Sequence, residues 1–292
     1  MRKLDVPPYA STDLYDLSVA GLADAELRTK FEANRPTVLE AFQLFKDNSQ
    51  TKTWCYLPRA AHGQPDAIVV GSLSKGELVS LYDEGVVKSR GEPRRIYDQI
   101  KVSARDECPY CGGVGEIGEQ GELGTADHFL PKAYFPTYSV IPVNLVPACQ
   151  VCNNGMGASF PTDENLQPLH PYLDEDHFFN TKWLFASVRP GEPLVVDYSV
   201  NPPAEWPEKD RLRVAAHFKA CKLGSRYRSR VWSEISPLIS QRRSSLRTLS
   251  PDQFREHLIV AADEPRLPIN GWKRVLYSGL ASSDWFCEKE FQ

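Results

Sequence analysis

Cys108-Pro109-Tyr110-Cys111-Gly112-Gly113, Asp127-His128-Phe129-Leu130-Pro131-Lys132, Asn144-Leu145-Val146-Pro147 and Cys149-Gln150-Val151-Cys152-Asn153-Asn154 follow one another within a single stretch. Two C-x-x-C pairs bracket an Asp-His step and an Asn. Four thiolates about 2.3 Å from one Zn²⁺ make a closed tetrahedral site with no open position, which is a structural role. Cys108, Cys111, Cys149 and Cys152 are therefore expected to bind zinc and to clamp the ends of the loop that carries Asp127, His128 and Asn144. Each pair is followed by small or turn-forming residues, Gly112-Gly113 and Asn153-Asn154, as a thiolate knuckle requires.

Between the clamps, the residue types suit phosphodiester hydrolysis. That reaction needs a base to deprotonate water and a cation to take up charge on phosphorus and the leaving oxygen. A histidine near neutrality supplies the base, and a hard oxygen ligand beside it suits Mg²⁺ or Mn²⁺. Adjacent residues on a strand point to opposite faces, but twist at a strand end lets Asp127 and His128 reach one phosphate, and Pro131 ends that strand.

Composition sets the frame. The chain has 292 residues, 41% hydrophobic and 25% charged, in the range of a folded globular protein. It lacks any run of about 18 apolar residues, so no membrane span is expected, and Met1–Pro8 has no apolar signal core. Seven cysteines, four of them paired at ligand spacing, fit a reducing, cytoplasmic setting, with Cys55, Cys221 and Cys287 as small apolar residues. The formal net charge is −4, yet the window 209–247 holds eleven Lys/Arg against Asp210 and Glu234. Within it, Arg226, Arg228, Arg230, Arg242 and Arg243 are candidates for phosphate contact, and Tyr227 and Trp232 for stacking on bases. A solvated helix face or a dock for an acidic partner is the alternative.

Periodicity places the rest. Residues 1–20 read as an extended arm, and helices are expected over 25–34 and 36–46, with Pro36 in the first turn of the second. Residues 67–71 read as a short strand. Ser74-Lys75-Gly76-Glu77 is a capping box opening a helix, and another short helix over 94–101 leads into the first cysteine pair. Residues 113–126 are a glycine-rich insertion. Strands are expected at 183–185 and 194–200, followed by helical segments over 212–238, 251–262 and 271–280. The fold class is α+β: a mostly helical scaffold around a small metal-binding finger. Three divisions result: 1–104, a helical scaffold with no catalytic grouping; 105–175, the core; and 176–292, a strand pair and a basic helical region.

The order C-x-x-C, Asp-His-x-x-Pro, Asn-Leu, C-x-x-C-Asn resembles the HNH endonucleases, whose core is a ββα-metal finger; the likeness covers about residues 105–160. The wider pattern, with Arg95-x-Tyr97-Asp98 and Leu169-His170-Pro171-Tyr172, is similar to HNH proteins of bacterial antiphage systems of the Septu type, where the nuclease works beside an ATPase. The resemblance implies a DNA-cleaving enzyme with His128 as general base. It makes Asp127 and Asn153 ligands of a catalytic Mg²⁺ or Mn²⁺, and has Asn144 orient the histidine through its backbone. It also implies a partner ATPase or sensor subunit. Many relatives carry a basic residue shortly after the final asparagine, where this chain has Asn154-Gly155-Met156-Gly157; Lys132 or the distal arginines would then contact phosphate. His170 is either a site residue or a packed structural histidine. The competing reading is a zinc-stapled nucleic-acid-binding or adaptor protein without cleavage activity.

Overall fold

The computed structural model describes residues 1–105, 107–113, 126–156 and 160–291; the glycine-rich insertion expected over 113–126 lies, apart from its two end residues, outside them. The first residues are extended: Arg2 N–H donates to the Pro109 carbonyl and Leu4 N–H to that of Pro171, which lays the chain across the cysteine region. The extended reading of 1–20 then fails, because α1 (Asp13–Ala20) is helical. Leu14, Tyr15, Ser18 and Val19 form its buried face, and the acidic Asp13 and Asp16 in its first turn favour the helix dipole. One helix, α2 (Ala25–Thr51), replaces the two expected. Asp24 caps it by accepting the Glu26 and Leu27 N–H groups, and Phe31, Val38, Phe42 and Phe45 share one buried face. Pro36 sits inside α2 on its exposed side, where a carbonyl left without its helical N–H can bond water.

A short hairpin follows, β1 (Ile68–Val70) against β2 (Leu73–Ser74). The capping box forms as expected, Ser74 and Glu77 exchanging bonds, and starts α3 (Lys75–Tyr82). One wider helical turn over Asp83–Val87 leads to α4 (Glu92–Val102). Next comes the expected finger: β3 (Ala126–His128) and β4 (Leu145–Pro147) pair antiparallel, with His128 opposite Leu145, and α5 (Gln150–Met156) follows directly. After the short α6 (His177–Asn180), β5 (Leu184–Arg189) and β6 (Val195–Val200) form the third two-stranded antiparallel sheet.

The C-terminal part is helical: α7 (Glu208–Ala220), α8 (Leu223–Arg243), α9 (Pro251–Ala262), α10 (Trp272–Ala281) and α11 (Asp284–Glu288). The periodic run across 212–238 is broken at Lys222, which takes a left-handed backbone (φ 51°) and redirects the chain from α7 into α8. The fold class is α+β, mostly helical. Buried residues from 1–104, 105–175 and 176–292 join one continuous core, from Met1 to Cys287. The finger is set within it: α4 packs on β3 and β4, and α7 packs on α5. Among the described residues no helix is long and apolar enough to cross a membrane.

Candidate metal centre and adjoining groove

The knuckle is built by two tight turns. Gly112 N–H closes on the Cys108 carbonyl, and Gly112 and Gly113 hold positive φ (60° and 82°) that other residues rarely adopt. On the other side Cys149 immediately precedes α5, and Cys152 lies in its first turn. All four Sγ atoms lie within 4.8 Å of one another and all four residues are buried, with Cys111 and Cys149 3.9 Å apart. A tetrahedron with 2.3 Å metal–sulfur bonds has sulfurs about 3.8 Å apart, so the cluster fits a metal such as zinc.

The surroundings carry the cluster. Tyr227, fully buried, donates its hydroxyl to the Cys111 carbonyl, and His217 Nε2 donates to that of Tyr110. Cys221, read from sequence as an ordinary apolar residue, packs one turn along α7 from His217, their Sγ and Nε2 being 4.0 Å apart. Arg226 turns inward, Nη1 to Cys152 Sγ at 3.0 Å and Nη2 to Cys149 and Cys111 Sγ at 3.3 and 3.5 Å. It is therefore not a free phosphate contact.

Beside the knuckle a groove of about 630 Å³ is lined by Asp127, His128, Lys132 and Asn153, together with Tyr82, Asp83 and Tyr97 from the N-terminal scaffold. His128 is nearly buried, and its Nε2 donates to the Ser139 carbonyl at 2.9 Å, which leaves Nδ1 as the basic nitrogen. Burial lowers its pKa to about 4, so the ring is neutral at pH 7. Tyr82 packs edge-on against it, centroids 4.4 Å apart. The Asp127 carboxylate accepts the His128 N–H, and burial raises its pKa to about 7. Lys132 pairs with Asp83 and lies over the Tyr82 ring at 4.9 Å.

Three expectations need correction. Asn144 does not orient His128 through its backbone; the Ser139 carbonyl does that. Fully buried and outside the groove, Asn144 accepts the Leu130 N–H, donates to the Tyr138 and Leu130 carbonyls, and takes the Phe129 N–H on its own carbonyl. It pins the chain just past the histidine, because the β3–β4 ladder ends at His128. His170 is the packed histidine of the two readings. It is fully buried behind β3, 4.2 Å from the Phe129 ring and 5.6 Å from Trp54. Its Nδ1 accepts the Tyr172 N–H, and burial lowers its pKa to about 3.

The third correction concerns the basic window. At about 100° per residue, the five arginines point in different directions around α8 and do not form one stripe. Arg228 pairs with Asp197, and Arg242 donates to the Leu246 and Leu249 carbonyls while covering Phe254. Tyr227 is inaccessible to bases, whereas Arg243 and the part-exposed Trp232 line a separate groove with Trp285. Two positions after Asn153 the fold requires a small residue. A side chain at Gly155 would come within 2.7 Å of the Ala220 carbonyl at the end of α7.

Sequence reasoning missed Tyr82, Asp83 and Tyr97 as groove walls, Ser139 as the histidine's partner, and Arg226 as a cluster residue. Of these only Tyr97 falls in a quoted pattern, Arg95-x-Tyr97-Asp98, which gives no sign that it lines a groove. The capping box at Ser74 announced the helix leading to Tyr82 but not what that helix faces.

No family model matches the chain, and no solved structure matches it. Protein ea31 of Escherichia phage lambda is 33% identical to it over 298 aligned positions, which cover 98% of this chain and 99% of that protein. With identity at that level along practically the whole of both sequences, the chain belongs to the family of the phage lambda protein ea31.

Proposed function

We propose that the protein is a divalent-metal-dependent endonuclease of the HNH type that hydrolyses DNA phosphodiester bonds. One observation carries the reading: Asp127, His128 and Asn153 line a single groove on a β-β-α unit built directly onto a four-cysteine knuckle. The knuckle is structural, with every sulfur turned inward. In the groove the neutral His128, held at Nε2 by Ser139, takes a proton from water at Nδ1. Asp127 and Asn153 offer oxygen ligands to Mg²⁺ or Mn²⁺, which when bound supplies positive charge for the developing phosphorane and leaving oxygen. Such a cation would also keep the Asp127 carboxylate ionised against the effect of burial. Lys132 is the phosphate contact in this reading, and a substrate phosphate would compete with Asp83 for it.

The binding-protein or adaptor reading has less behind it, since Arg226 and Arg242 are engaged within the fold. The motif resemblance extends the proposal to an antiphage effector restrained by a partner ATPase or sensor. Restraint would show as slow nicking by the purified protein alone; rapid, complete degradation of host DNA by it at physiological salt would count against that restraint. For the enzyme itself, supercoiled plasmid is incubated with wild type, His128→Ala and Asn153→Ala in Mg²⁺, Mn²⁺ and EDTA. Nicking is expected from wild type with metal only, and to fall by about 10²-fold or more in His128→Ala. Nicking that survives EDTA sinks the metal-dependent mechanism.

A further inference from the structure

We infer that Arg226 is the counter-cation of the cysteine centre: it holds the metal in place and fastens the start of α8 to the knuckle. Four thiolates on one divalent cation leave a doubly negative centre, and here it sits in a buried setting where uncompensated charge is costly. The guanidinium meets that charge directly. Nη1 lies 3.0 Å from Cys152 Sγ, and Nη2 lies 3.3 Å from Cys149 and 3.5 Å from Cys111, so one planar group donates to three of the four sulfurs. Nη1 also reaches the Cys221 carbonyl at 3.2 Å, at the end of α7. The left-handed Lys222 turns the chain so that α8 begins beside the cluster, and Tyr227, the next residue, anchors the same helix to the Cys111 carbonyl. Hydrogen bonds to ligating sulfurs draw charge off them, slow their protonation and so retain the metal. The inference concerns the metal centre alone and is independent of whether the groove cleaves DNA.

The test follows zinc leaving the purified, zinc-loaded protein into an excess of a colorimetric chelator under reducing conditions. Wild type, Arg226→Ala, Arg226→Lys and Arg226→Gln are compared, with Arg228→Ala as the control from the same helix. Arg226→Ala should lose zinc about 10-fold faster or more, in the range found when partners of metal ligands are removed. Arg226→Lys, which keeps the charge without the fork, should be intermediate, and Arg228→Ala should match wild type. Zinc retention by Arg226→Ala equal to wild type overturns the inference, as does wild type that holds no zinc. If Arg226→Ala does not accumulate as folded protein, the other pair decides. Arg226→Gln keeps an N–H donor without charge, so a Gln variant that holds zinc as long as the Lys variant also overturns it.

Discussion

His128 and His170 are both buried and burial keeps both neutral at pH 7, but only one faces the groove. His128 closes the β3 ladder and is held by Ser139 and Tyr82; His170 packs behind the same strand on Phe129 and Trp54. The folded pKa of His170 lies near 3 against about 6.5 unfolded. Its contribution is therefore intact above pH 6.5 and is lost as pH falls towards 3, because the unfolded chain binds a proton that the folded one refuses. The slope from this one group is up to about 1.4 kcal/mol per pH unit. His170→Gln should be less stable than wild type at pH 7, with the gap narrowing as pH drops to 5 in urea unfolding; parallel stability–pH curves would rule this out. At this scale the sequence announces residue types well. The cysteines and the Asp-His step are legible because their chemistry is carried by identity and spacing. That Ser139 rather than Asn144 holds the histidine is not, since the acceptor is a backbone carbonyl that any residue could present.

Elements were legible where a local signal was complete. The capping box at Ser74 is self-contained, the strand expected over 194–200 falls on β6, and the helix predicted over 251–262 has those bounds. Failures came where tertiary contacts decided. Pro36 reads as a boundary until its exposed position is known, and the α7–α8 break exists to seat α8 on the knuckle. Between elements, Arg213 on α7 forms a fully buried ion pair with Asp174. Nη1 and Nη2 each donate to one carboxylate oxygen at 2.7 Å, and Arg213 also donates to the Gln167 and Pro168 carbonyls. Arg213→Ala leaves Asp174 charged and unpaired in the core and should cost about 3–5 kcal/mol in urea unfolding. A loss below about 1 kcal/mol would show that α7 is held by packing alone. In sequence Arg213 is indistinguishable from its neighbours in a basic helix.

Over the whole molecule, the groove is a joint product of regions far apart in the chain. The finger supplies Asp127, His128 and Asn153, while the end of α3, the turn after it and the middle of α4 supply Tyr82, Asp83 and Tyr97. Residues 1–104 read as scaffold because no chemistry-bearing cluster occurs there locally; their part in the groove arises only when α4 packs on β3 and β4. The basic window shows the converse: a strong compositional signal is dispersed by the helix that carries it, with Arg226 drawn to the four-cysteine cluster and Arg242 to the start of α9. In the proposed mechanism the base is one nitrogen of one imidazole, Nδ1 of His128. Its most direct test is plasmid nicking by His128→Gly in Mg²⁺ or Mn²⁺, with and without added imidazole. A loss of about 10²-fold or more relative to wild type is expected, with part of the activity restored by imidazole. Cleavage that persists undiminished in His128→Gly, or no cleavage by wild type in either cation, would contradict it.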